Sequence, residues 1–128
     1  MKNLTRQEKV DALIEQFWRK GYLTVSRRYG KYLPEPNPVG GYTVDAVAKY
    51  RRKTAVGIVL DAEELNDPKI ISKLNFLASR NSNYSNKNMT LYIGVPEDSI
   101  LKAEMIVAGL DLNAQKNIKI IGVPTSKG

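Results

Sequence analysis

The chain of 128 residues contains neither cysteine nor histidine, and these two absences narrow its chemistry. Without cysteine it can form no disulfide bond and no zinc site with thiolate ligands. Without histidine it lacks the usual base that activates a serine or cysteine nucleophile, and it lacks the commonest metal ligand. Carboxylate, lysine, serine and tyrosine side chains remain as the groups that could carry chemistry.

Long apolar runs and glycine-rich nucleotide-binding motifs are also missing. No run approaches the roughly 18 apolar residues of a membrane-spanning helix, and the polar first residues predict no secretory signal. No sequence fits a P-loop or a dinucleotide-binding fingerprint. We therefore expect a cytoplasmic protein with no membrane partner. The length predicts one domain over residues 1–128, in which residues 124–128 form a flexible tail.

Acidic residues are scarce in one part of the chain. Residues 19–53 carry nine basic side chains and only two acidic ones, Glu35 and Asp45, whereas basic and acidic residues balance on either side. The net charge of +7 therefore comes from this stretch alone. Clustered Lys and Arg are typical of a surface that binds a polyanion, although they also occur on solvated protein surfaces.

Tyrosines are interleaved with these basic residues. Such a mixture can hold phosphates and stack on bases, although tyrosine is also common on ordinary strand surfaces. We predict a nucleic-acid partner, with DNA as the first candidate. A non-enzymatic interaction module is the alternative, in which the basic loop docks an acidic protein or the chain forms a homodimer. The predicted nucleic-acid contacts are Arg27, Arg28, Tyr29, Lys31, Tyr32, Arg51, Arg52 and Lys53.

Two runs rich in β-branched residues and tyrosine, Tyr42–Tyr50 and Thr54–Leu60, flank the basic connection Arg51–Lys53. This pattern predicts a β-hairpin. Asp45 lies inside the first run, where an apolar residue is the default. Because a carboxylate within a strand must face solvent or be paired, Asp45 needs an explanation.

The remaining elements follow from caps and hydrophobic periodicity. A capping box at Thr5 and Glu8 opens the first helix, Asp67 caps a helix that begins at Pro68, and Asp98 or Ser99 caps a third helix. The other predicted elements are strands at Tyr22–Arg28, Met89–Val95 and Ile118–Val123 and the third helix at Ile100–Leu110. The order α-β-β-β-α-β-α-β predicts an α/β fold with a mixed central sheet, helices on its two faces and parallel final strands.

This order, with Asp45 on the second strand, resembles the PD-(D/E)XK restriction-endonuclease-like superfamily. In that family an Asp on the second strand and a Glu-x-Lys pair on the third hold a divalent metal and activate water. The resemblance implies a nuclease-like core for most of the chain. In one register Val59 stands in the position of the family's acid and Asp61 in that of its lysine, and a shift by one residue puts Ile58 and Leu60 there instead. Neither register gives an acid followed by a lysine, so the motif is degenerate.

Three hypotheses about function follow. The chain is a nucleic-acid-binding relative that keeps the scaffold without efficient catalysis and needs no cofactor. Alternatively, it is a divergent nuclease of resolvase or restriction type, in which Asp45 and Asp61 share Mg²⁺. In the third hypothesis the fold match is coincidental, and Asp45 merely pairs with an arginine. The candidate catalytic residues are Asp45, Asp61, Glu15 and Lys49, with Glu64 and Lys73 as substitutes.

Overall fold

A computed structural model describes residues 4–39, 41–79 and 89–124. Its helices are α1 (Arg6–Arg19), α2 (Ala62–Asn66), α3 (Lys69–Ala78), α4 (Ile100–Ala108) and α5 (Leu112–Lys116). Its strands are β1 (Leu23–Arg27), β2 (Ala46–Tyr50), β3 (Lys53–Val59), β4 (Met89–Pro96) and β5 (Ile118–Val123). The predicted α/β class and element order are confirmed, and the short helices α2 and α5 are additions to it.

All five strands form one mixed sheet in the order β1-β2-β3-β4-β5. The pairs β1/β2 and β2/β3 are antiparallel, whereas β3/β4 and β4/β5 are parallel, as predicted. The predicted hairpin is confirmed, and because Tyr50 pairs with Lys53, its turn consists of Arg51 and Arg52. The turn therefore lies at one end of the sheet and Asp45, just before β2, lies at the other.

Helix α1 packs very closely on one face of the sheet. Its buried residues Val10, Leu13 and Phe17 contact a floor of small side chains in β2 and β3. A Cβ atom on Gly57 would lie 2.6 Å from Leu13 Cδ2 and 2.7 Å from Phe17 Cζ. A side chain at this position would therefore have to displace the packed side chains of Leu13 and Phe17. The floor consists of Ala46, Ala48, Ala55 and Gly57.

Helices α3, α4 and α5 cover the opposite face and enclose the larger core. Alternate residues of β3 and β4 point to this face, among them Ile58, Leu91 and Ile93. The apolar run of β4 is buried on both faces, as its sequence predicts for a central parallel strand. Leu74 and Leu77 of α3 close the core.

Two predicted helix starts are confirmed. Thr5 and Glu8 exchange the side-chain and backbone hydrogen bonds of a capping box. Pro68 already has helical dihedral angles, and the Asp67 carboxylate accepts a hydrogen bond from the Lys69 N–H at 3.0 Å. Residues in the first turn of a helix lack intrahelical partners for their N–H groups, so these side chains satisfy them.

Other boundaries differ from the prediction. Strand β2 begins at Ala46 and not at Tyr42, which forms only an isolated bridge with Val39. Ser99 is the N-cap residue of α4, as one of the two predicted alternatives had it, but a 3₁₀ turn precedes the helix and the Ser99 side chain makes no capping hydrogen bond. No helix in the described ranges is long and apolar enough to cross a membrane. Residues 125–128 of the predicted tail lie outside those ranges.

Candidate functional site

Asp45 is the one buried charged residue in the described part of the chain, with 3% of its surface exposed. Its backbone N–H donates to the Gly57 carbonyl at 2.9 Å, and its Oδ2 accepts a hydrogen bond from the Val59 N–H at 2.7 Å. The carboxylate therefore continues the β2/β3 hydrogen-bond ladder by one bond. This bond satisfies a strand N–H that would otherwise be buried without a partner.

Two arginines from separate segments neutralise this carboxylate. Arg28, directly after β1, places Nη1 at 3.3 Å from Asp45 Oδ1. Arg6, in the first turn of α1, places Nη2 at 3.9 Å from Asp45 Oδ2. Arg6 also donates to the Val59 carbonyl at 2.6 Å and to Glu64 Oε1 at 2.7 Å. We call these groups the Arg6 cluster: Arg6, Arg28, Asp45, Glu64 and the Val59 backbone.

The charge of Arg6 is secured by its neighbours. Burial by itself would lower the pKa of the Arg6 guanidinium. The hydrogen bond to Glu64 and the attraction of Glu64, Asp45 and Asp61 outweigh burial and raise this pKa above its ordinary value. The cluster therefore holds a permanent positive charge among its carboxylates.

Asp61 has a structural task at the same end of the sheet. Its Oδ1 accepts a hydrogen bond from the Glu64 N–H at 2.8 Å, and Glu64 Oε1 accepts one from the Asp61 N–H at 3.2 Å. This capping box starts α2, and the sequence analysis did not predict it. The signal was present, because Asp and Glu three residues apart are a typical helix start.

The side chains at this end do not fit a Mg²⁺ site. A Mg²⁺ ion needs several oxygen ligands around the space that it occupies, and more than one of them is often a carboxylate. With Arg6 in place, the position beside Asp45 holds a guanidinium, and the side chain of the neighbouring Val59 is buried and apolar. Across the described ranges, no three Asp or Glu side chains are grouped closely enough to hold a metal ion.

Two of the predicted catalytic residues lie far from Asp45. Glu15 is on the exposed side of α1, where it forms an ion pair with Arg19 at 2.9 Å. Lys49 is exposed and follows Asp45 by four residues along an extended chain, a separation of about 13 Å. The structure therefore brings neither residue to Asp45.

The opposite end of the sheet has a different electrostatic character. We call it the hairpin end: Lys49, Tyr50, Arg51, Arg52 and Lys53. A shallow depression of about 420 Å³ is lined by Tyr50, Arg51, Arg52 and Lys53, and none of the described residues contributes a carboxylate to it. The Arg51 guanidinium lies 5.3 Å from the centre of the Tyr50 ring. Among the ion pairs of the described residues, none involves these cations.

The other predicted contact residues lie at the end of β1 and in the segment after it, at the Asp45 end. Arg27 forms an ion pair with Asp11 of α1, and Arg28 combines its bond to Asp45 with a position 4.8 Å from the Tyr29 ring centre. Lys31 and Tyr32 are exposed on the loop beyond. The structure therefore divides the predicted basic surface between two opposite ends of the sheet.

Arg6 was missed by the sequence analysis, and a weak signal pointed to it. The N-terminus of a helix carries a partial positive charge, which disfavours an arginine in the first turn. An arginine at that position is expected to have an acidic partner outside the helix. Its partners Asp45 and Glu64 lie far away in sequence, so the pattern could not name them.

A comparison with models of protein families, with curated proteins and with solved structures finds no match for this chain. The resemblance to the nuclease superfamily therefore stays a prediction that rests on element order and on Asp45. The function has to be inferred from the two ends of the sheet themselves.

Proposed function

We propose that this protein is a nucleic-acid-binding domain with a restriction-endonuclease-like core and without nuclease activity. The proposal places the contact with nucleic acid at the hairpin end. The observation that carries it is the depression lined by Tyr50, Arg51, Arg52 and Lys53, whose cations have no carboxylate partner among the described residues.

Unpaired cations favour binding because they need not give up an internal ion pair. Arginine can donate two parallel hydrogen bonds to one phosphate, and each neutralised phosphate releases counterions. Tyr50 is 39% exposed beside these cations and offers a ring for stacking on a base. Arg27 and Arg28 are weaker candidates because they already contact Asp11 and Asp45.

The lack of nuclease chemistry in this proposal is supported by the Arg6 cluster. A nuclease of this superfamily needs carboxylates that hold a metal ion and a lysine that assists the attacking water. The carboxylates of Asp45 and Glu64 are occupied by arginine, and the apolar side chain of Val59 can supply neither charge nor ligand. DNA as the partner and the cytoplasm as the location belong to the same proposal.

Salt dependence of binding tests the hairpin end. We expect the affinity for a labelled duplex or single-stranded oligonucleotide to fall as salt rises. In the variant Arg51→Ala/Arg52→Ala, the slope of log affinity against log salt should decrease by about two for duplex DNA, because each arginine neutralises about one phosphate. Lys116→Ala/Lys119→Ala removes the same charge from exposed positions near β5 and should leave the slope nearly unchanged.

Affinity that ignores salt, or equal slopes for the two double variants, would contradict this proposal. The nuclease alternative is tested with single-stranded, duplex and branched DNA in the presence of Mg²⁺ or Mn²⁺. We expect no cleavage. Metal-dependent cleavage by the purified protein that Glu64→Gln or Asp45→Asn abolishes would establish the divergent nuclease instead.

A further inference from the structure

We propose that the Arg6 guanidinium is a built-in cation. It takes the position that a divalent metal ion would need at the end of the sheet, and it keeps such an ion out. When Arg6 is removed, the same oxygen atoms should bind a divalent cation. This inference does not depend on nucleic-acid binding.

The oxygen atoms around Arg6 come from three separate segments of the chain. Glu64 Oε1 lies 2.7 Å from Nη1, the Val59 carbonyl oxygen lies 2.6 Å from Nη2, and Asp45 Oδ2 lies 3.9 Å from Nη2. Two carboxylates and a backbone carbonyl are the ligand types that Ca²⁺ and Mg²⁺ use. In this chain they surround a side-chain cation.

The local charge balance depends on Arg6. Arg28 contacts the other oxygen of Asp45, and among the ion pairs of the described residues Glu64 is paired with Arg6 alone. Without Arg6, the carboxylates of Asp45, Glu64 and Asp61 would each lose a nearby positive charge, and Arg28 would still pair with Asp45. Such an excess of negative charge in a partly buried place attracts a cation from solution.

Access for an ion is provided by the position of the Arg6 side chain, which is 31% exposed. Truncation to alanine would therefore leave a gap that opens to solvent and not a sealed cavity. A cation entering this gap could keep some of its water molecules, as Mg²⁺ usually does in proteins.

Thermal unfolding with and without divalent cations tests this inference. We compare the wild-type chain, Arg6→Ala and the control Arg19→Ala in millimolar MgCl₂ or CaCl₂ and in NaCl of equal ionic strength. Arg19 is an arginine on the same helix whose partner is the exposed Glu15. The melting midpoint of the wild type should not change from one salt to another, and neither should that of the Arg19→Ala control. Arg6→Ala should unfold several degrees lower in NaCl and regain part of the loss with a divalent cation.

The double variant Arg6→Ala/Glu64→Ala should show no such recovery, because one of the oxygen ligands is gone. An Arg6→Ala variant that gains nothing from either cation would overturn the inference, and so would a wild-type chain stabilised to the same extent. If Arg6→Ala does not fold in NaCl, its refolding yield from denaturant in CaCl₂ gives the same decision. Equal yields in the two salts would count against the built-in cation.

Discussion

Arginines lie at both ends of the sheet, but within the described part of the chain only those at one end contact carboxylates. At the Asp45 end, Arg6, Arg27 and Arg28 each contact a carboxylate. At the hairpin end, Arg51, Arg52 and Lys53 line a depression to which no described residue contributes a carboxylate. Arginines at the first end stabilise the fold, whereas those at the second are available to a partner. This difference in ion pairing is the reason why the proposed nucleic-acid contact lies at the hairpin end.

Burial explains why the Asp45 end needs its cations. A buried carboxylate loses its hydration and is stable only when charge and hydrogen bonds replace the water. Asp45 obtains both from Val59, Arg6 and Arg28. The cations of the hairpin end are exposed and hydrated, so they need no such compensation.

The largest effect is expected for Asp45→Ala. The substitution leaves Arg28 without its carboxylate partner and the Val59 N–H without its acceptor, so the free energy of unfolding should fall by about 3 kcal/mol or more. Asp45→Asn should cost less, because the amide oxygen can still accept the Val59 hydrogen bond. Urea denaturation of both variants measures how much the negative charge and the hydrogen bond to Val59 each contribute to the free energy of unfolding.

Asp11→Asn is the matched control, because it removes an exposed carboxylate that pairs with Arg27. Its effect should stay below about 1 kcal/mol. Equal losses for Asp45→Ala and Asp11→Asn would contradict the claim that burial makes the contacts of the Asp45 carboxylate important for stability.

A second, smaller effect concerns Tyr92, which lies between the two ends opposite Gly57. Burial, together with the charge and hydrogen bond of Tyr22, raises the pKa of Tyr92 from 10.0 to about 12. The folded chain therefore holds this proton more tightly than the unfolded chain does. This contribution to stability is complete below pH about 10 and is lost as the pH rises towards 12.

Tyr92→Phe should weaken this alkaline loss of stability, whereas Tyr32→Phe, at a position 96% exposed, should leave it unchanged. Arginines stay charged in this range, so the arginine ion pairs of the Asp45 end should not contribute to the alkaline loss of stability. Denaturation curves at several pH values between 9 and 12 measure the difference. If the stability of Tyr92→Phe fell with rising pH as steeply as that of the wild type, Tyr92 would not be the cause of the alkaline loss.

The smallest effect is expected at the turn of the hairpin. Arg51 has a φ angle of 55°, in the left-handed region where a side chain costs roughly 1 kcal/mol and glycine costs little. Arg51→Gly should therefore stabilise the fold by about 0.5 kcal/mol while weakening nucleic-acid binding. Arg52 does not have a positive φ, so Arg52→Gly should weaken binding without any gain in stability. Melting midpoints and oligonucleotide titrations of the two variants measure both quantities.

Much of the fold could be predicted because its signals are local. The Thr5 capping box, the hairpin and the final strand Ile118–Val123 were readable from neighbouring residues. The register of Asp45 was harder, because the strand begins only at Ala46. The Asp45 carboxylate accepts the Val59 N–H hydrogen bond that a strand carbonyl would otherwise accept, and no periodic pattern in the sequence predicts this contact.

The ion pairs of the candidate site could not be predicted, because their partners are distant in sequence. Arg6 meets Glu64 only once α1 lies across the sheet, and that position depends on the packing of Gly57 against Leu13. However, the separation of the basic residues into two groups at opposite ends of the sheet could have been predicted. In a meander of antiparallel strands, Arg28 after the first strand and Arg51 after the second must lie at opposite ends.

A titration of ¹⁵N-labelled protein with an unlabelled oligonucleotide, followed by two-dimensional NMR, observes both ends of the sheet at once. The account predicts that the amide signals of Tyr50, Arg51, Arg52 and Lys53 shift at low salt. Those of Arg28, Val59 and Glu64 should stay in place. Shifts centred on Arg28, Val59 and Glu64, with an unchanged hairpin, would contradict the claim that unpaired cations define the binding surface.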